Sequence, residues 1–108
     1  MSAEQYEITD MQLGQAIQGW AGETLAAGVD VYVQGPLAAP GMDPTWIVRI
    51  IAPWREAEFF LFRGPHAEVT WFDPREPEPT LRVEGHDDLT PGSITALLSR
   101  LVSDECAA

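Results

Sequence analysis

Leu13, Ala16, Ile17, Trp20, Thr24 and Ala27 recur at the 3.6-residue spacing of one helical face, so residues 9–27 are predicted to form an amphipathic helix. Thr9 or Asp10 can accept from the orphan N–H groups of its first turn, and Gly28 can take the left-handed conformation that ends it. Gly14, Gly19 and Gly22 each weaken an isolated helix by up to about 1 kcal/mol relative to Ala, so packing must hold this one in place. The period then changes to two. Val29, Val31 and Val33 alternate with Asp30, Tyr32 and Gln34 as a half-buried strand that ends at Gly35-Pro36. Residues 37–44, with two prolines and one Gly, read as a loop. Trp46, Val48, Ile50, Ala52 and Trp54 alternate with Ile47, Arg49 and Ile51, which predicts a longer strand, apolar on both faces and therefore central.

Residues 58–62 and 67–72 are predicted as a hairpin around Arg63-Gly64-Pro65-His66. An even-numbered loop sets Phe62 against Ala67 and Phe60 against Val69, leaving Phe59, Leu61, Glu68, Thr70 and Phe72 on the opposite face; a slip of one residue exchanges the two sets. The proline-dense stretch 73–79 must be a polar loop, and residues 81–85 a fifth strand. Thr90-Pro91 is a cap followed by proline at the first helical position, and Ile94, Leu97, Leu98, Leu101 and Val102 complete an amphipathic helix. The order predicts one α+β domain over residues 1–108: an N-terminal helix, an antiparallel five-stranded β-meander and a C-terminal helix, with both helices on one face of the sheet. Residues 1–8 and 104–108 are expected to be flexible.

Under the helices this arrangement buries Val31, Val33, Trp46, Val48, Ile50, Leu81 and Val83. The opposite face then carries Tyr32, Ile47, Arg49, Ile51, one row of the Phe-rich hairpin, Arg82, Glu84 and Glu68. Aromatic and aliphatic side chains set among carboxylates suit a protein-binding patch better than a solvated sheet, although twist, a loop or a dimer partner could equally cover them.

Composition adds a sign to that surface. Seventeen carboxylates against six arginines give a net charge of −11, which repels nucleic acid phosphates and attracts basic partners. The chain has no Lys and no Asn, as codon usage in a GC-rich genome would produce, so part of the imbalance can be inherited from base composition. Nine of the acids fall between Glu56 and Asp88. The sequence carries neither a run of about 18 apolar residues nor a basic, apolar leader, and a cytoplasmic protein without membrane contact is expected. A single cysteine, Cys106, precludes an intramolecular disulfide and a Cys-rich metal site.

Chemistry-bearing constellations are sparse. No serine sits in a strand-turn-helix elbow, no Gly-rich loop cradles phosphate, and no basic patch suits nucleic acid. His86-Asp87-Asp88 offers a cation one nitrogen and two oxygens, but consecutive side chains rarely converge on one ion, and the trio reads as the loop before the helix cap. Glu56 and Glu58 can share a strand face, yet paired carboxylates need a pocket before they do acid–base work. Neither a metal nor a cofactor is expected. An enzyme reading would require a deep pocket holding His66 or His86 beside a carboxylate.

The stretch Ala57-Glu58-Phe59-Phe60-Leu61-Phe62-Arg63-Gly64-Pro65-His66-Ala67-Glu68-Val69-Thr70-Trp71-Phe72-Asp73, followed by a strand, a His-Asp-Asp turn and a Leu-rich helix, resembles the small immunity proteins of bacterial polymorphic toxin systems, the TriTu type in particular. The likeness covers residues 10–103 as an order of elements, and the hairpin around Gly64 and Glu68 as a motif; the proline-rich loops at 37–44 and 74–79 depart from it. It implies a non-enzymatic inhibitor that binds a co-produced toxin. A cationic toxin surface would be met by Glu58, Glu68 and Glu84, with Tyr32, Phe59 and Phe72 as aromatic anchors and Arg82 beside them. The chain would act as a monomer or a weak homodimer. Two other classes compete: an acidic nucleic-acid mimic of the anti-restriction or anti-CRISPR kind, which needs carboxylates in regular rows, and a secretion chaperone, which needs a dimer exposing apolar grooves.

Overall fold

A computed structural model describes residues 3–23, 28–38, 44–62 and 65–103. Two helices and one five-stranded antiparallel sheet follow the predicted order: α1 (Ala3–Glu23), β1 (Asp30–Gln34), β2 (Trp46–Ala52), β3 (Arg55–Phe62), β4 (His66–Phe72), β5 (Arg82–His86) and α2 (Pro91–Val102). The strands lie in sequence order, so the sheet is a meander with β1 and β5 at its edges. Both helices pack on one face, α1 against α2 and β1, α2 over β2 and β3. Among the described residues no helix is long and apolar enough to cross a membrane.

One apolar core joins Leu13, Ile17 and Trp20 of α1 and Ile94, Leu97, Leu98 and Leu101 of α2 to Trp46, Val48, Ile50, Phe59, Leu61, Ala67 and Val69 of the sheet. The α1 stripe is thus the expected one as far as Trp20; Thr24 and Ala27 lie outside the described residues. The helix begins six residues earlier than predicted and runs through Thr9 and Asp10, so neither caps it. Gly14 has a packing role that propensity conceals. A Cβ built there would stand 2.4 Å from the Trp46 ring, so the missing side chain lets α1 approach β2; a Cβ at Gly35 would stand 2.6 Å from the same ring.

α2 starts as predicted. Thr90 has extended backbone and its hydroxyl accepts from the Ser93 N–H at 3.1 Å, while the Thr90 N–H donates to Ser93 Oγ at 2.7 Å, a reciprocal capping box with Pro91 just inside it. Its C-terminus is closed by a residue from the sheet. Arg55 is 5% exposed and donates through one terminal nitrogen to the carbonyls of Arg100, Leu101 and Ser103, at 3.2, 3.0 and 2.7 Å. Carbonyls at a helix end lack intrahelical donors, and a guanidinium satisfies several of them while complementing the helix dipole.

Two registers differ from expectation. β2 ends at Ala52 and turns through Pro53 and Trp54, pairing Ala52 with Arg55, so Trp54 belongs to the turn and β3 starts at Arg55. The β3–β4 hairpin pairs Phe62 with His66, Phe60 with Glu68 and Phe59 with Val69. Its connection therefore spans three residues, and the β3 side chains change faces while those of β4 stay as expected. Phe59 and Leu61 point into the core with Ala67 and Val69; Phe60, Phe62, Glu68, Thr70 and Phe72 lie on the open face.

Candidate functional site

The antiparallel registers place a row across the uncovered face of the sheet: Tyr32 opposite Arg49, Arg49 opposite Glu58, Glu58 opposite Thr70 and Thr70 opposite Val83. Alternation sends these side chains away from the core, because the same strands turn Val48, Ile50, Ala57, Phe59 and Val69 inward. Neighbouring rows on the same face add Gln34, Ile47, Phe60 and Glu68 on one side and Asp30, Ile51, Glu56 and Phe72 on the other.

Two depressions run into one another here. The larger, about 470 Å³, is lined by Tyr32, Ile47, Arg49, Ile51, Glu58 and Phe60, with Val33 and Gln34 at its edge. The second, about 180 Å³, shares Arg49 and Glu58 and reaches Glu56, Thr70, Phe72 and Leu81. Together they form a shallow trough across β1 to β4 with an aromatic ring at either end and charged groups in the middle. Tyr32 is 57% exposed, which leaves a large amphipathic ring available for contact. Arg49 and Glu58, although directly opposite, make no hydrogen bond or ion pair among the described residues.

The other face uses its charges differently. Trp71 donates its indole N–H to Glu84 at 2.8 Å, and the guanidinium carbons of Arg55 and Arg82 lie 4.6 and 4.7 Å from its ring centroid. Glu84 also accepts from Arg100 of α2 and bonds His86 Nε2 at 3.0 Å. Burial works to raise the Glu84 pKa, but the bonds from Arg100, Trp71 and His86 outweigh it and hold the carboxyl at about 2. Arg82 in turn pairs with Glu76 at 3.0 Å.

Of the seven expected contact residues, four share the open face: Tyr32, Glu58, Glu68 and Phe72. Phe59 is a correction. It is 0% exposed, because the three-residue connection puts odd-numbered positions of β3 inward. Arg82 and Glu84 are corrections too. β5 pairs Arg82 with Trp71 and Glu84 with Val69, which turns both toward the helix side and leaves Leu81 and Val83 on the open face, 61% and 69% exposed. The apolar alternation of β5 pointed the wrong way because its pairing sets Val83 opposite Thr70 on the open face, away from both helices, and on the helix side Trp71 and Arg100 provide partners for the charge of Glu84. Phe60 and Phe62, assigned inward by the even loop, belong to the open face; a three-residue loop was the signal that could have found them.

Both histidines sit beside carboxylates. His66 Nδ1 is 2.6 Å from Asp87 Oδ1 and its ring stacks at a tilt 6.0 Å from Phe62, tying the start of β4 to the loop after β5. Neither His66 nor His86 lines either depression. Among the described residues no group of three or more His, Cys, Asp or Glu side chains converges as a metal site would require. The nine acids between Glu56 and Asp88 divide into Glu56, Glu58 and Glu68 on the open face, Glu84 on the helix side and five in loops. Comparison with known proteins gives no match: no family model, no curated protein and no solved structure corresponds to this chain.

Proposed function

We propose that this chain is a non-enzymatic inhibitor that binds a protein partner with a basic surface, a cognate bacterial toxin, across the open face of its sheet. One observation carries the reading. A β-face that no described residue packs over presents Tyr32, Ile47, Ile51, Phe60, Phe72 and Val83 around Glu56 and Glu58, which make no hydrogen bond or ion pair among the described residues, over a continuous trough. A domain that needed this face only for solubility would carry small polar side chains there, whereas an interface centre combines aromatic anchors with a few charges that set orientation. The net charge of −11 supplies long-range attraction to a cationic partner and raises the encounter rate.

The resemblance to immunity proteins supports the toxin as the class of partner. Mimicry of nucleic acid is less well supported, because mimicry calls for rows of carboxylates, and on the open face only Glu56 and Glu58 follow one another along a strand. The test is growth rescue: the protein encoded beside this gene is expressed as a candidate toxin with and without the chain. Rescue by the wild type and its loss on joint Glu58→Lys and Glu68→Lys substitution is expected. Rescue undiminished by the double substitution would contradict the proposed surface, and absence of any toxicity or binding would contradict the immunity reading.

A further inference from the structure

β5 is an edge strand that pairs, among the described residues, with β4 alone, so alternate N–H and C=O groups along Arg82–His86 point out of the sheet. Edges are usually blunted by lysine and other charges, by proline or by a bulge. β5 has no lysine, proline or bulge between residues 82 and 86, and its two charges, Arg82 and Glu84, are turned to the helix side and held there by Glu76, Trp71 and Arg100; its apolar side chain, Val83, is 69% exposed, with Leu81 beside it at 61%. We infer that β5 pairs antiparallel with β5 of a second copy of this chain, about a two-fold axis through Val83.

The register follows from geometry and charge. In an antiparallel ladder opposed residues are either both hydrogen-bonded or both not, so a two-fold axis must pass through a residue and cannot fall between two. An axis on Arg82 sets two guanidinium groups against each other, and one on Glu84 sets two carboxylates against each other; like charges directly opposite are destabilising. An axis on Gly85 opposes Val83 to Asp87 and runs into Asp88, whose φ of 52° carries the chain out of the strand. The axis on Val83 opposes no like charges: Arg82 of each copy falls opposite Glu84 of the other, both already paired within their own chain, while Val83 stacks on its symmetry mate and Leu81 lies alongside Gly85. The edge strand β1 offers no such choice, since Asp30 is its only charged residue.

This pairing leaves the trough across β1 to β4 uncovered, so a dimer would present two open faces in one ten-stranded sheet. The experiment is light scattering on the full chain after size exclusion, over a concentration series. Wild type is expected at twice the 11.9 kDa chain mass. Val83→Lys and Val83→Glu, at a position that projects into solvent, should each keep the melting transition, weaken association at least about tenfold and run as monomers, whereas an equal mixture of the two should re-form the dimer. Wild type that stays monomeric throughout, or a Val83→Lys protein that associates as well as wild type, overturns the proposal. Failure of the mixture to associate overturns the axis on Val83.

Discussion

The two faces of this sheet carry similar side chains and treat them in opposite ways. On the helix side, Arg55, Arg82, Glu84, Trp71 and His86 are bound to one another, to α2 or to the loop before β5. On the open side Arg49 and Glu58 stand opposite each other, bonded to nothing among the described residues, between Tyr32 and Phe72. Charges that the fold consumes stabilise it. Those it leaves alone are available to a partner, and substitutions on the two faces should separate accordingly into effects on stability and effects on binding.

The largest expected effect is at Arg55. Replacing it with Ala removes the guanidinium that donates to the carbonyls of Arg100, Leu101 and Ser103 at the end of α2 and takes one cation from the Trp71 ring, so unfolding free energy should fall by about 3 kcal/mol or more in chemical denaturation. Next comes acid. The folded pKa of Glu84, about 2, lies below its ordinary 4.5, so the stability it contributes is fully present above about pH 4.5 and is lost as pH falls toward 2. Up to about 3 kcal/mol should disappear across that window, and Glu84→Gln should lower stability at neutral pH while flattening the acid limb. Gly14→Ala is a third case: the added Cβ meets the Trp46 ring, and about 1–3 kcal/mol of overpacking should exceed the helix-propensity gain, seen as a lower melting temperature. Smallest is the effect of Tyr32→Ala or Glu58→Gln on stability, within about 0.5 kcal/mol, since both side chains are exposed. A large loss of stability at either would erase the distinction between the faces.

What the sequence revealed follows from how local each signal is. α2 was legible to the residue, because Thr90-Pro91 and the Ile94, Leu97, Leu98, Leu101 spacing are set within one element. The meander and the central place of β2 were legible from its two apolar faces. The hairpin register was not, because a single residue of loop length decides whether Phe59 or Phe60 enters the core. Nor was the orientation of β5. Val83 reads as a core residue in its own strand and becomes a surface residue because its pairing with Thr70 puts it on the open face, while Arg82 and Glu84 find their partners in Trp71, Arg100 and Glu76, from other elements. Tyr32, Glu58, Glu68 and Phe72 were placed together by alternation; Phe59, Arg82 and Glu84 were not, for these two reasons.

The central claim, that the open face is the working surface, is tested most directly by isothermal titration of the neighbouring gene's product against wild type and against the Glu58→Lys, Glu68→Lys double variant, at low and high salt. The account predicts tight wild-type binding that weakens with salt, and a loss of about a hundredfold or more in a double variant whose melting temperature is unchanged. Equal affinity for both proteins at both salt concentrations would contradict it.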